Sequence, residues 1–367
     1  MNQAVIQRTK QPKSRLSVVD CDIHPSASSP SEVQQFMTQE MREHWQTFGA
    51  RVAQPFLGTI PYPRMSPGNG SRMDAYPPKG GPAASDLGFL QEQLLDLYDI
   101  EFGMLQPLSV GSVTFDQKLG AAICSAVNDW QLSKWCHPEP RLKAAICVPQ
   151  EDPDAAVAEI EKRAKDGHFA QVAIPPRTAE PIGRKRYWRV LECAAYHGFP
   201  IGLHSGAYGW HANTGSGWAS YYWEEHMAFA YQLQGVVQSL VFEGAFERIP
   251  DLKAVAIEGG FAWAAPLGWR MDKQFDIMRK EVPHLKKKPS EYMRTQMWYT
   301  TQPIEEPERK DDIHDIIRWI GEDRLMFSTD YPHWDFDDPR YAFQVNLPED
   351  IKKKIMGENA KQLYRLG

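Results

Sequence analysis

Four residues of this chain have the types and the placement that metal chemistry needs: Asp22, His24, His204 and Asp330. Each closes an apolar, strand-like run. Val18-Val19-Asp20-Cys21-Asp22-Ile23-His24 supplies the first two, Pro200-Ile201-Gly202-Leu203-His204 the third, and Leu325-Met326-Phe327-Ser328-Thr329-Asp330 the fourth. Successive side chains of a strand point to opposite faces, so Asp22 and His24 are expected on one face. Carboxylates and imidazoles arriving together suit Zn, Mn or Fe, with positions left open for water or substrate.

Two further residues extend this set. Glu258 ends the run Val255-Ala256-Ile257-Glu258-Gly259-Gly260, whose glycines allow a backbone to come close. It reads as an acid favoured at a helix N-terminus, or as a general base, or as a ligand to a second metal. His333 follows Asp330 by three residues in Asp330-Tyr331-Pro332-His333. That spacing suits a turn built on Asp and Pro and equally a metal or proton-transfer pair, since a carboxylate at a metal can also shuttle a proton from bound water. The candidate catalytic groups are therefore Asp330, Glu258 and His333, and the candidate ligands Asp22, His24, His204, Asp330 and Glu258. Trp210, His211, Trp218, Tyr221, Tyr222, Trp223 and His226 follow His204. They read as packing aromatics, a pocket wall or a subunit contact, with His226 outside the ligand set.

The elements that must position these residues alternate from end to end. Strand patterns are expected near 18–24, 102–108, 142–148, 170–174, 201–204, 252–257, 298–301 and 325–328. Helix patterns fall at 86–99, 115–135, from 153, 185–196, 221–247, 262–279 and 310–320, with two short helices at 349–356 and 359–364. Eight βα units make a (β/α)8 TIM barrel the expected fold, with insertions after strands one and five. A doubly wound open sheet is the rival, but no Gly-rich phosphate fingerprint follows the first strand. Barrel chemistry sits at the C-terminal ends of the strands, which is where the four residues lie. Residues 30–85 are rich in Pro, Gly, Ser and Met and too long for a simple connection, so they read as a lid or a subunit arm on one domain spanning 17–367.

Composition narrows the function classes. The 367 residues carry a formal charge of -6, which gives no reason to expect nucleic acid or an anionic membrane as partner. The five cysteines have no short C-x-x-C spacing and read as reduced thiols. Residues 1–16 are polar and basic without an apolar stretch behind them, so they read as a flexible leader and not a signal peptide. No apolar run approaches the roughly 20 residues that span a bilayer. A cytoplasmic protein acting on a small molecule is the expectation.

Several motifs together resemble the amidohydrolase superfamily, in the amidohydrolase-related group that includes aminocarboxymuconate semialdehyde decarboxylase and resorcylate decarboxylase. They are Asp22-Ile23-His24-Pro25, Gly198-Phe199-Pro200-Ile201-Gly202-Leu203-His204-Ser205-Gly206, Phe246-Glu247-Arg248-Ile249-Pro250-Asp251-Leu252-Lys253, Thr301-Gln302-Pro303, Ser328-Thr329-Asp330-Tyr331-Pro332-His333, and Ile355-Met356-Gly357-Glu358-Asn359-Ala360. The resemblance spans about 17–366. It implies a barrel with a divalent metal held by residues matching Asp22, His24, His204 and Asp330, in a dimer or larger assembly. Many relatives carry His where this chain has Asp22, and the sixth-strand His of the decarboxylases is Glu258 here.

The expected function is metal-dependent hydrolysis or non-oxidative decarboxylation of a small carboxylate or amide, with one metal, or two if Glu258 is a ligand. Two alternatives stay open. A dinuclear Fe/Mn oxygenase is suggested by Glu258 and His333 as extra ligands. A non-catalytic partner subunit in a hetero-oligomer is suggested by the arm and the replaced His.

Overall fold

The computed structural model describes residues 16–52, 70–206 and 208–367. Most of the leader expected at 1–16, and 53–69 of the expected lid or arm, lie outside the described residues. Eight strands follow one another in chain order around a single sheet: β1 Val18–Ile23, β2 Ile100–Leu105, β3 Leu142–Cys147, β4 Phe169–Ile174, β5 Ile201–His204, β6 Ala254–Ile257, β7 Met297–Thr300 and β8 Leu325–Met326. Every neighbouring pair is parallel. The seam is closed by Cys21 N donating to Phe327 O at 3.0 Å and His24 N to Tyr331 O at 2.8 Å, with a parallel bridge between Ile23 and Tyr331. This is the expected (β/α)8 barrel.

Its apolar residues divide by strand alternation. Ile23, Leu105, Ala144, Val172, Leu203 and Ala256 face outward into the large layer shared with the helices. Val19, Cys21, Met104, Val255, Ile257 and Met326 form a smaller cluster with Ala360, Leu363 and Tyr364 of the terminal helix Asn359–Tyr364. A polar thread crosses this interior: Tyr364 Oη donates to Gln171 Oε1 at 3.0 Å, Gln171 Nε2 to Gln106 Oε1 at 2.9 Å, and Gln106 Nε2 to Cys21 O at 3.2 Å. Each link gives a buried polar group the partner it needs.

Strand β1 is not regular. Its register against β2 shifts between Asp20 and Ile23. Such an irregularity redirects side chains near a barrel rim. Cys21 joins the interior cluster while Asp22 and His24 converge at the mouth.

Four helices lie outside the expected pattern or divide it. Pro30–Gln34 and Gln39–Phe48 occupy the first insertion, and Val33 and Met37 there are buried in the main core. Pro289–Gln296 begins with Pro in its first turn, and the Glu291 side chain accepts from Lys288 N at 3.0 Å. The helix expected over 221–247 runs as Tyr222–Phe242 and restarts at Ala245–Arg248, because Gly244 takes a left-handed φ of 80°. No helix among the described residues is long and apolar enough to cross a membrane.

Candidate metal centre

The C-terminal ends of β1, β5 and β6 and the loop after β8 meet in one buried cluster. Ligating atoms of Asp22, His24, His204 and Glu258 all lie within 4.8 Å of one another, and a second set of three, His24, Asp330 and His333, shares His24. His24 Nε2 is 3.1 Å from Asp22 Oδ1 and 2.9 Å from Asp330 Oδ1. His204 Nε2 is 3.3 Å from Asp22 Oδ1 and 3.1 Å from Glu258 Oε2. His333 Nδ1 stands 2.6 Å from Asp330 Oδ1 at the rim, one-fifth exposed where Asp330 is fully buried. All six residues singled out from the chain are thus in one place, with Glu258 nearer His204 than Asp330 is.

The backbone is bent to achieve this. Glu258 has φ 57° and Asp330 φ 61°, both in the left-handed region. L residues with a Cβ pay about 1–2 kcal/mol there, and such positions cluster at functional sites. The glycines after Glu258 serve packing. A Cβ on Gly259 would meet Leu233 Cδ1 at 2.2 Å, and Gly260 has φ 62° and abuts Glu305. The Glu305 carboxylate accepts from Phe261 N at 3.1 Å and Ala262 N at 2.9 Å.

Outer contacts aim the imidazoles. His24 Nδ1 is 3.0 Å from Gln106 O, and His204 Nδ1 is 2.6 Å from Ser205 O. A ring that donates Nδ1–H to a carbonyl presents its Nε2 lone pair inward, as metal-bound histidines do. His24 Nε2, His204 Nε2 and both Asp22 carboxylate oxygens are buried, and none of their contacts at 2.9 to 3.3 Å is aligned as a hydrogen bond. Unpartnered polar atoms at this depth are expensive. Four converging on one point fit a cation.

Charge points the same way. Burial works against ionisation at Asp22, yet the imidazoles of His204 and His24 outweigh it and hold the carboxyl below the usual carboxylate range. Asp330 is also held low, since His333 and His24 overcome its burial. Burial alone would depress His24, but Asp22 and Asp330 raise it well above an ordinary imidazole. Glu258 goes the other way: burial first, then the charges of Asp330 and Asp22, push it well up. The cluster balances its carboxylates by taking up protons. A divalent cation is the other way to balance it, and it would displace protons only from the residues that ligate it.

Five residues around the centre, Asp20, Thr300, Gln302, Thr329 and Asp335, carry no role assigned from the sequence. Asp20 Oδ1 accepts from Thr329 N at 2.9 Å and Asp22 N at 3.2 Å, and Asp20 Oδ2 from Thr329 Oγ1 at 2.6 Å. Thr300 Oγ1 accepts from Glu258 N at 3.3 Å. Gln302 Nε2 donates to Asp330 Oδ2 at 3.2 Å and Asp335 Oδ2 at 2.8 Å. The available signal was a polar residue directly after an apolar run, as in Tyr299-Thr300-Thr301-Gln302. Among the expected aromatics, Tyr222 and His226 form one ring cluster with Trp334, which was not in that set, and Trp334 Nε1 donates to Tyr222 Oη at 2.9 Å. Trp210 packs edge-on against Phe115, whereas Trp218, Tyr221 and Trp223 are exposed. The His211 ring reaches Ala179 O at 3.3 Å, and its backbone carbonyl accepts from Arg177 Nη1 at 2.6 Å.

A family model described as amidohydrolase matches residues 19–366. The chain belongs to the amidohydrolase family. It is 27% identical over 259 residues to a gamma-resorcylate decarboxylase from Polaromonas sp. strain JS666, covering 65% of this chain and 75% of that relative. A gamma-resorcylate decarboxylase from Rhizobium sp. strain MTP-10005 is 25% identical over 309 residues, covering 76% and 90%. Among solved structures, an amidohydrolase from Mycobacterium avium subsp. paratuberculosis K-10 superposes with a TM-score of 0.71 at 22% identity, covering 96% of this chain and 98% of the other. A 5-carboxyvanillate decarboxylase from Novosphingobium aromaticivorans DSM 12444, complexed with manganese and 4-hydroxy-3-methoxy-5-nitrobenzoic acid, gives 0.70 at 17%, covering 95% and 96%. Likeness at these structural identities carries the fold.

Proposed function

We propose that this amidohydrolase is a divalent-metal-dependent carboxy-lyase that removes CO2 from a small hydroxylated aromatic acid. The observation that carries the reading is the set of unpartnered buried atoms on Asp22, His24 and His204, in a chain related to gamma-resorcylate decarboxylases. Manganese is the favoured ion, because solved neighbours that act on aromatic acids hold it.

Asp22, His24, His204 and Asp330 would hold the ion. Bound there, it would supply positive charge that polarises substrate oxygens and offsets part of the negative charge that raises Glu258. Glu258 then supplies the proton. Its Oε2 lies beside His204 at 3.1 Å, and burial with the charges of Asp330 and Asp22 pushes its carboxyl in the direction a donor at neutral pH needs. The ring–carboxylate C–C bond breaks, its electron pair stays on the ring carbon, and the Glu258 proton forms the new C–H bond. His333, at the rim and 2.6 Å from Asp330, exchanges protons with solvent. Tyr222 and Trp334, whose rings meet edge-on with centroids 6.2 Å apart, would offer aromatic surface against which a substrate ring can pack.

The test is CO2 release from 2,6-dihydroxybenzoate by manganese-loaded protein under argon. Stoichiometric CO2 and resorcinol support the reading. No CO2 from this acid or other ortho-hydroxybenzoates, with metal bound, contradicts it.

A second reading rests on one observation, the second ligand set of His24, Asp330 and His333. Two ions side by side would suit a dinuclear Fe/Mn oxygenase. Oxygen uptake matched to substrate loss distinguishes it.

A further inference from the structure

His226 is buried on the first turns of helix Tyr222–Phe242, away from the ligand set. Its ring is packed between Phe229 at 5.0 Å, Tyr222 at 5.6 Å and Trp334 at 5.6 Å. Its Nδ1 is buried without a hydrogen-bond partner, whereas Nε2 lies 2.9 Å from Asp335 Oδ2. The ring therefore has one polar contact in this set, and that contact leads toward the centre.

Asp335 Oδ2 is also the tightest acceptor of Gln302 Nε2, at 2.8 Å. The same amide nitrogen reaches Asp330 Oδ2 at 3.2 Å and Asp335 O at 3.3 Å. An amide nitrogen has two hydrogens, and here three acceptors compete for them. One hydrogen is committed to Asp335 Oδ2 as long as that oxygen stays in place. The other is then available to Asp330 Oδ2. Asp330 Oδ1 meanwhile faces His24 and His333, so the Gln302 contact holds the opposite edge of this carboxylate.

We propose that His226 is a positioning residue for Asp330, acting through Asp335 and Gln302 to fix the carboxylate plane of a metal ligand. The inference rests on the reading of Asp330 as a ligand. Without the His226 donor, Asp335 rotates, Gln302 follows it, and Asp330 loses the contact on Oδ2. Outer partners of this kind set metal affinity by about 10–100-fold.

The experiment compares wild type, His226→Phe and His226→Gln for manganese affinity by chelator competition, with melting temperature measured on metal-stripped protein. Phe keeps the ring among its aromatic neighbours and removes the donor; Gln returns an N–H near the place of Nε2. His226→Phe is expected to weaken manganese binding about 10–100-fold with the metal-free melting temperature unchanged, and His226→Gln to recover most of it. Asp335→Leu, which removes the same acceptor from the other end, is expected to match His226→Phe. Manganese retained by both His226→Phe and Asp335→Leu overturns the inference alone. Equal weakening in His226→Phe and His226→Gln, with a lowered melting temperature, also overturns it, in favour of simple packing. A wild type that binds no divalent ion overturns the ligand reading and this inference with it.

Discussion

His24 Nε2 stands 2.9 Å from Asp330 Oδ1, so the first strand and the loop after the last one meet through two site residues. The barrel closes at the same place, where His24 N donates to Tyr331 O at 2.8 Å. Closing the sheet and assembling the centre are one event. A change that loosens the seam should therefore reach the chemistry.

Thr329 tests that link. Its Oγ1 donates to Asp20 Oδ2 at 2.6 Å and accepts from Tyr331 N at 3.1 Å, tying β1 to the residues on either side of Asp330. Thr329→Val keeps the shape and leaves buried polar atoms on Asp20 and Tyr331 without these partners. Such a loss costs about 1–3 kcal/mol. A lower urea midpoint together with weaker metal binding is expected; a lower midpoint with unchanged binding would separate the seam from the site.

Glu258→Gln separates binding from proton transfer. The amide keeps the size of the carboxylate beside His204 but cannot donate an acidic proton. Metal content is expected to hold while CO2 release falls by about 100-fold or more, the usual scale of a lost general acid. Loss of the metal in this variant would instead make Glu258 a ligand and favour the dinuclear reading.

Glu225 gives stability a pH dependence. Burial pushes its carboxyl up from 4.5 to about 7, with Arg177 opposing. Asn213 Nδ2 donates to its Oε1 at 2.7 Å, while Oε2 is buried without a hydrogen-bond partner. The folded state holds this proton more tightly than the unfolded chain does. Its contribution is full below the unfolded value and is lost as pH rises through the window from 4.5 to about 7, by at most about 1.4 kcal/mol per pH unit. Glu225→Gln keeps an acceptor for Asn213 and removes the titration. Urea midpoints from pH 4.5 to 8 should fall more steeply with rising pH in wild type than in the variant; parallel curves would contradict this.

Much of the candidate site was legible because its proposed ligands sit at the ends of apolar runs. Asp22, His204 and Asp330 follow stretches of the chain that have to be strands, and a barrel brings strand ends together. Asp20 was not legible, because its role depends on Thr329, which is 309 positions away. His226 and Asp335 likewise acquire meaning only when the helix after β5 is laid across the loop after β8. The helix Pro289–Gln296 was hidden by its polarity: only Pro289, Tyr292, Met293 and Gln296 are buried, and the Lys run before it reads as loop. The register shift in β1 leaves no trace in residue types at all. Of residues 30–85, the described part includes core residues such as Val33 and Ala75, which a composition rich in Pro and Gly does not announce.

The most direct measurement is metal stoichiometry on protein purified without chelators under argon, for wild type and His204→Ala in parallel. His204 offers a buried, unpartnered Nε2 to the centre, and its removal leaves the barrel wall at Leu203 untouched. About one divalent ion per wild-type chain and a large loss in the variant are expected. Two ions per chain, or full retention by His204→Ala, would contradict a single ion held by Asp22, His24, His204 and Asp330.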